Sequence, residues 1–176
     1  MHCWQLLTPD LVLSESVCGI TPAVMEKYGL QGLIVDVDDT IVCSSGQEIA
    51  PEIRAWVASL QTQYPIWLVS NNFNEQRIQA IGEELGLPSR CRAAKPSLGV
   101  IREVLQAMQL PPEKVGMVGD RLFTDIVAGK RAGMFSILIQ PVTSPRPQNW
   151  LALIKLQTKW IRQWEIWLAR KSGVKI

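Results

Sequence analysis

The residues of this chain able to do chemistry gather in four short polar clusters, of which the densest is the stretch LIVDVDDTIV from Leu33 to Val42. It sets three carboxylates, Asp36, Asp38 and Asp39, directly behind an apolar run. If that run is a strand, side chains alternate between its faces, so Asp36 and Asp38 project to the same side about 7 Å apart while Val37 points away. Two anions so placed repel each other. A cation between them, a proton on one of them, or exposure to water as a loop would each relieve the repulsion. The other clusters are Ser70-Asn71-Asn72 behind the apolar run PIWLV, Lys95 within AAKP, and Gly119-Asp120, which opens the stretch GDRLFTD and ends it at Asp125.

The elements that would position these clusters follow from periodicity and punctuation. Thr21-Pro22 reads as an N-cap followed by proline at the first helical position, opening a helix through Lys27 that Gly29 stops. Gly32 to Val37 reads as a buried strand. Ile49 to Gln61 has helical spacing, Pro65 to Val69 is a second buried strand, and Asn74 to Leu85 is a helix closed by Gly86. Cys91 to Ala94 reads as a short extended piece leading to Lys95-Pro96. Ser97 to Met108 is helical, Val115 to Val118 a strand, Thr124 to Arg131 a helix closed by Gly133, and Phe135 to Ile139 a strand. Residues 1–20 show no period and read as an irregular arm. Strands alternating with helices of about 10 to 13 residues imply an α/β fold of three α/β/α layers around a mainly parallel sheet. Ligands of such sheets bind outside the carboxyl ends of the strands, where three of the clusters begin, so the four would converge on one crevice.

The totals bound what this crevice belongs to. With 176 residues, 47% hydrophobic and 19% charged, the chain is long enough to bury one core and too apolar to be disordered. Cys3, Cys18, Cys43 and Cys91 lack CxxC spacing and His2 is the single histidine, which excludes a zinc site and a disulfide framework and fits a reducing, cytoplasmic setting. No Lys or Arg precedes the first apolar residues and Asp10 interrupts them, unlike a signal peptide; no apolar run reaches the roughly 20 residues of a membrane span.

DVDDT, Ser70, Lys95 and GDRLFTD resemble, in order and in strand context, the four motifs of the haloacid dehalogenase (HAD) superfamily of aspartate-dependent phosphohydrolases, over residues 32–139. More narrowly, TP at 21, DVDDT, SNN, AKPS and GDRLFTDI are similar to the YqeG branch, of the IIIA type. Asp39 stands where Gly or Asn is frequent in that branch. The resemblance implies that Asp36 is the nucleophile, forming an aspartyl-phosphate that water later cleaves, and that Asp38 is the acid and base. It implies Mg²⁺, a hard ion suited to an all-carboxylate site, held by Asp36, the Asp38 backbone carbonyl and Asp120, with Asp125 in an outer shell or paired with Lys95. Ser70 would donate to the phosphate with help from the chain near Asn71, Lys95 would neutralise the transferring group, and the Thr40 hydroxyl would orient Asp36.

Spacing bears on the substrate. Thirty-four positions separate Asp36 from Ser70 and 25 separate Ser70 from Lys95. Neither gap holds a cap domain once its helix is counted, so the crevice should be open to a phosphate displayed on something large. A proline-rich hinge from Pro141 to Pro147 divides the phosphatase domain, residues 1–145, from a tail, residues 146–176. From Trp150 onward six basic residues stand against Glu165, a net +5, beside four of the seven tryptophans. On a helical wheel Trp150, Leu153, Ile154, Leu156, Trp160, Ile161, Trp164, Trp167 and Leu168 share an apolar arc of about 160°, broken only by Gln157, the pattern of a helix lying in a membrane interface. The same face would equally serve a helix packed on its own domain or on a second subunit. The residues before Trp150 carry −3, which argues against nucleic acid. Phosphatidylglycerophosphate phosphatases are close to this branch, so the resemblance implies a lipid phosphomonoester at a membrane surface. A phosphatase of soluble or protein phosphomonoesters, or a non-catalytic phosphate-binding scaffold whose tail docks a partner, would carry many of the same features.

Overall fold

The computed structural model describes residues 3–43 and 48–142. Its centre is a sheet of six strands, all parallel: β1 (Leu11–Val12), β2 (Gly32–Val35), β3 (Ile66–Val69), β4 (Ser89–Arg90), β5 (Val115–Gly119) and β6 (Phe135–Leu138). Their order across the sheet is β1-β6-β5-β2-β3-β4. The helices are α1 (Pro22–Tyr28), α2 (Pro51–Leu60), α3 (Glu75–Leu85), α4 (Gly99–Met108) and α5 (Val127–Ala132).

Strand composition explains the layering. In β2 all four residues are buried, and consecutive side chains enter different cores: Leu33 and Val35 join Ile53, Trp56 and Leu60 of α2 and Ile78, Ile81 and Leu85 of α3, while Ile34 joins Ile101, Val104 and Leu105 of α4 and Ala128 of α5. A strand covered on both faces has no polar side to show, hence the unbroken apolar run. The three α/β/α layers expected from the sequence are thus present. The chain runs outward from β2 through β3 to β4, then returns to lay β5 on the other flank of β2. Strand order reverses there, and the loops after β2, β3 and β5 open side by side at the carboxyl edge.

Boundaries follow the caps. The Thr21 hydroxyl accepts the Val24 N–H, the Asn74 side chain accepts the Arg77 N–H, and α1, α3 and α5 each end on a glycine in the left-handed region, Gly29, Gly86 and Gly133. Two expectations are corrected. The first 20 residues are not wholly irregular: β1 pairs with β6 and extends the sheet. Asp10 fixes it, accepting hydrogen bonds from the N–H and hydroxyl of Ser136, both at 2.8 Å, beside an ion pair with Lys130. The strand at the far edge is Ser89–Arg90 rather than Cys91–Ala94, where Arg92 and Ala94 take positive φ and leave the extended conformation.

Among the described residues no helix is long and apolar enough to cross a membrane. The expected tail helix, its hinge and the domain boundary at residue 145 lie outside the described residues.

Candidate active site

β2 ends at Val35, so Asp36 is the first residue past the strand, with its N–H held by the Val118 carbonyl of β5 at 2.9 Å. The turn that follows is closed by bonds from the Thr40, Ile41 and Val42 amides to the Val37 carbonyl. Asp39 sits at its apex with φ 62°, a region glycine and asparagine enter readily, which accounts for their frequency at this place in the family the motifs resemble. The alternation expected of an extended strand therefore stops before Asp38. The Asp36 carboxylate is buried against Lys95, whereas that of Asp38 turns to Ser70 and Asn72 of the loop after β3.

Around Asp36 the structure assembles a buried ionic group. The Lys95 ammonium lies 2.5 Å from Asp36 Oδ1, 2.8 Å from Asp125 Oδ1 and 2.8 Å from the Val69 carbonyl, which engages its three N–H donors. Asp125 also accepts the Arg121 N–H at 3.2 Å. It reaches this position through the turn Leu122–Ile126, a single π-helical turn that buries Leu122, Asp125 and Ile126 and leaves Phe123 outside. The turn lies so close to β5 that a Cβ on Gly119 would overlap the Asp125 carboxylate. Asp36, Asp120 and Asp125 each present an oxygen, and the three oxygens lie within 4.8 Å of one another.

Three carboxylates against one buried ammonium leave excess negative charge. Burial, reinforced by Asp125 and Asp120 and opposed by Lys95, raises the Asp36 pKa from its ordinary 3.8 to about 7. Burial alone would discharge Lys95, but Asp36 and Asp125 beside it hold its pKa above the ordinary value. A hard divalent cation suits this donor set, because every candidate ligand is an oxygen and the site carries the charge such an ion would offset.

A second group forms around Asp38. Its Oδ1 accepts from Arg77 Nη1 at 2.7 Å, and its Oδ2 accepts from the Ser70 hydroxyl and the Asn72 amide, both at 3.2 Å. Arg77 also donates to the Cys43 carbonyl. Three donors thus converge on one carboxylate. The expected residues are together at one strand edge, but several sit differently from their expected places. The Ser70 hydroxyl is buried and committed to Asp38 and to the Asn72 N–H. The Asn71 side chain, in the stretch whose backbone N–H groups were expected to help hold the phosphate, closes on the backbone of Lys95, accepting its N–H at 2.7 Å and donating to its carbonyl at 3.1 Å. Asn71 therefore positions the lysine. The Thr40 hydroxyl is fully buried with no hydrogen-bond partner among the described residues, so the expected bond to Asp36 is not formed. Asp125 makes the Lys95 pairing, one of its two expected places.

Arg77 was not expected from the sequence. Its signal was available: it lies one turn inside a helix that starts directly after Ser70-Asn71-Asn72, and helical side chains lean back toward the N-terminus.

A family model described as HAD-hydrolase-like matches residues 92–145. The probable phosphatase YqeG of Bacillus subtilis is 31% identical over 131 residues, which cover 74% of this chain and 76% of that protein. The chloroplastic phosphatidylglycerophosphate phosphatase 1 of Chlamydomonas reinhardtii is 29% identical over 150 residues, covering 80% of this chain but only 56% of that longer protein. Among solved structures, an uncharacterized protein from Listeria monocytogenes serotype 4b superposes with a TM-score of 0.53 at 16% identity, over 67% of this chain and 85% of that one, a likeness of fold. Identity of 31% spread over three quarters of both chains cannot come from one shared motif, and the chain accordingly belongs to the HAD superfamily of phosphohydrolases, in its YqeG and phosphatidylglycerophosphate phosphatase-like branch.

Proposed function

We propose that the chain is a Mg²⁺-dependent phosphomonoesterase that works through an aspartyl-phosphate on Asp36 and takes a lipid phosphomonoester, phosphatidylglycerophosphate, from a membrane surface. The observation that carries the reaction type is the Asp36 carboxylate, the first group past β2, gripped on Oδ1 by Lys95 and bordered by Asp120. The lipid reading is supported by the similarity to the Chlamydomonas phosphatase and by the short Asp36–Ser70 and Ser70–Lys95 intervals.

In the first half-reaction an Asp36 oxygen attacks phosphorus; the new phosphorus–oxygen bond replaces the bond to the ester oxygen, and a proton from Asp38 neutralises the departing alkoxide. In the second, Asp38 takes a proton from water, whose oxygen attacks the acyl-phosphate and releases inorganic phosphate and the Asp36 carboxylate. Lys95 fixes the orientation of Asp36 and supplies positive charge at the transferring group. Arg77, Ser70 and Asn72 hold the Asp38 carboxyl in place for both proton transfers. Asp36 and Asp120, with Asp125 beside them, would hold Mg²⁺, which when bound offsets charge on the phosphoryl oxygens.

The test is a substrate series with Mg²⁺ present: phosphatidylglycerophosphate in mixed micelles, sugar phosphates and a phosphopeptide. The expected result is a kcat/KM for the lipid phosphate at least about 10-fold above the others, since an open crevice gains nothing from small substrates that only a cap could enclose. A higher kcat/KM for a sugar phosphate or the phosphopeptide would replace the lipid reading with that of a soluble or protein phosphatase.

A further inference from the structure

Resting on the lipid-phosphate reading, we propose that the carboxyl edge of the sheet is itself a docking surface for an anionic lipid bilayer, with Phe73 and Phe123 as its apolar anchors and Arg92 and Arg121 as its contacts to lipid phosphates.

Large apolar side chains rarely stay in water without a reason, and among the described residues only Val12, Phe73 and Phe123 do so. Val12, at 37%, is marginal and belongs to the far edge of the sheet, whereas Phe73 is 78% exposed and Phe123 56%. Their places are not random. Phe73 follows Asn72 in the loop after β3, and Phe123 projects from the π-helical turn after β5. β3 and β5 are the two neighbours of β2, so the phenylalanines stand on opposite flanks of Asp36. With neighbouring strands about 4.8 Å apart, the two loops leave the sheet on the order of 10 Å from each other.

Each phenylalanine has an exposed arginine beside it. The Arg92 N–H is bonded to the Asn72 carbonyl, one residue before Phe73, and its side chain is exposed. Arg121, two residues before Phe123, is 57% exposed while its guanidinium leans on Asp39 at 3.5 Å. The exposed carboxylate of this rim, Glu75, accepts from Gln79 on its own helix. Exposed aromatic rings interleaved with arginines, both around a phosphate-handling crevice, are complementary to an interface of acyl chains and anionic headgroups.

The course of the chain adds a second, independent argument. After β6 the backbone crosses this same edge, with the Val142 N–H bonded to the Asp39 carbonyl at 2.9 Å. Val142, the last described residue, thus sits against the loop after β2, and the sequence that follows it carries four tryptophans and a net +5 from Trp150 onward. A bilayer lying against this edge would meet the crevice, the two rings and the end of the described chain at Val142 together. Docking there would bring a headgroup phosphate to Asp36 without pulling the lipid out of the membrane.

The experiment uses the full chain with phenylalanines replaced by Phe73→Ser and Phe123→Ser together, neither of which touches the proposed reacting groups. Flotation with phosphatidylcholine vesicles containing about one third phosphatidylglycerol reads docking, and hydrolysis of p-nitrophenyl phosphate reads the intact site. The expected result is that wild type floats on the anionic vesicles, that the double variant partitions about 10-fold less, and that aryl phosphate turnover changes by less than about twofold. Hydrogen exchange of residues 71–75 and 120–124 should slow on vesicles in wild type alone. Undiminished flotation of the double variant, or wild type that does not float, overturns the proposal. If lipid phosphate is the preferred substrate in micelles but the double variant floats normally, the docking surface fails and the substrate reading stands. If the rings govern flotation but a soluble phosphate is preferred, the docking surface stands and the substrate reading fails.

Discussion

Asp36→Asn is expected to reduce Mg²⁺-dependent hydrolysis of p-nitrophenyl phosphate by about 10⁴-fold or more, because an amide oxygen is a poor nucleophile toward phosphorus and no other group is placed to substitute for it. The fold should survive. Asn is isosteric, its side-chain oxygen can still accept from Lys95 Nζ, and one of the crowded charges around the lysine disappears. The melting temperature of the metal-free variant should therefore equal or exceed that of wild type. Asp38→Asn provides the contrast. An aryl leaving group departs with little help from an acid, so the first half-reaction persists while deprotonation of water in the second is lost, and the covalent intermediate accumulates. Steady-state kinetics on both variants, with thermal melts, separates the roles; retained turnover in Asp36→Asn would sink the nucleophile assignment.

The second large effect concerns metal and pH. Asp36 has a folded-state pKa of about 7 against 3.8 in an unstructured chain. A raised carboxyl pKa means that the folded state holds its proton more tightly. The resulting stability is complete below about pH 4, is lost as pH rises, and is gone above about pH 7, a change on the order of a few kcal/mol for this group. Lys95 does not compete in this window, since its pKa is raised and its contribution disappears only above about pH 10. The proposed Mg²⁺ binding would require the ionised carboxylate and would offset the repulsion that ionisation creates. The increment in melting temperature on adding Mg²⁺ should thus be small at pH 5 and several-fold larger at pH 7.5, as read by differential scanning fluorimetry. An increment independent of pH across that range would contradict the ionic account of the site.

Much of this was legible in the sequence because local and tertiary demands coincide. The unbroken apolar run before Asp36 is the mark of a strand covered on both faces, and Leu33, Ile34 and Val35 do enter two different cores. Thr21, Asn74, Gly29, Gly86 and Gly133 sit where helix ends need a side-chain acceptor or a left-handed residue, and all five mark real ends. Asp36, Ser70 and Asp120 were assignable to one sheet edge for the same reason, since each follows a buried run.

What was not legible depends on distant partners. β1 is two residues long, too short for any period, and is held by Asp10 against Ser136, 126 positions away. The left-handed turns at Arg92 and Ala94 have no signal in residue type, so Cys91–Ala94 looked extended. The division of labour among polar side chains was also hidden: Asn71 locks the Lys95 backbone, Ser70 bonds Asp38, and Arg77 completes that group from α3. Motif spacing brings residues to an edge, but hydrogen-bond partners at that edge are selected by sub-ångström placement.

The most direct test of the central claim is rapid quench of wild type and Asp38→Asn with ³²P-labelled aryl phosphate, followed by peptide mapping. The account predicts a hydroxylamine-labile label on Asp36, transient in wild type and accumulating in Asp38→Asn. Full turnover with no labelled protein in either enzyme, or label at another residue such as Ser70, would contradict it.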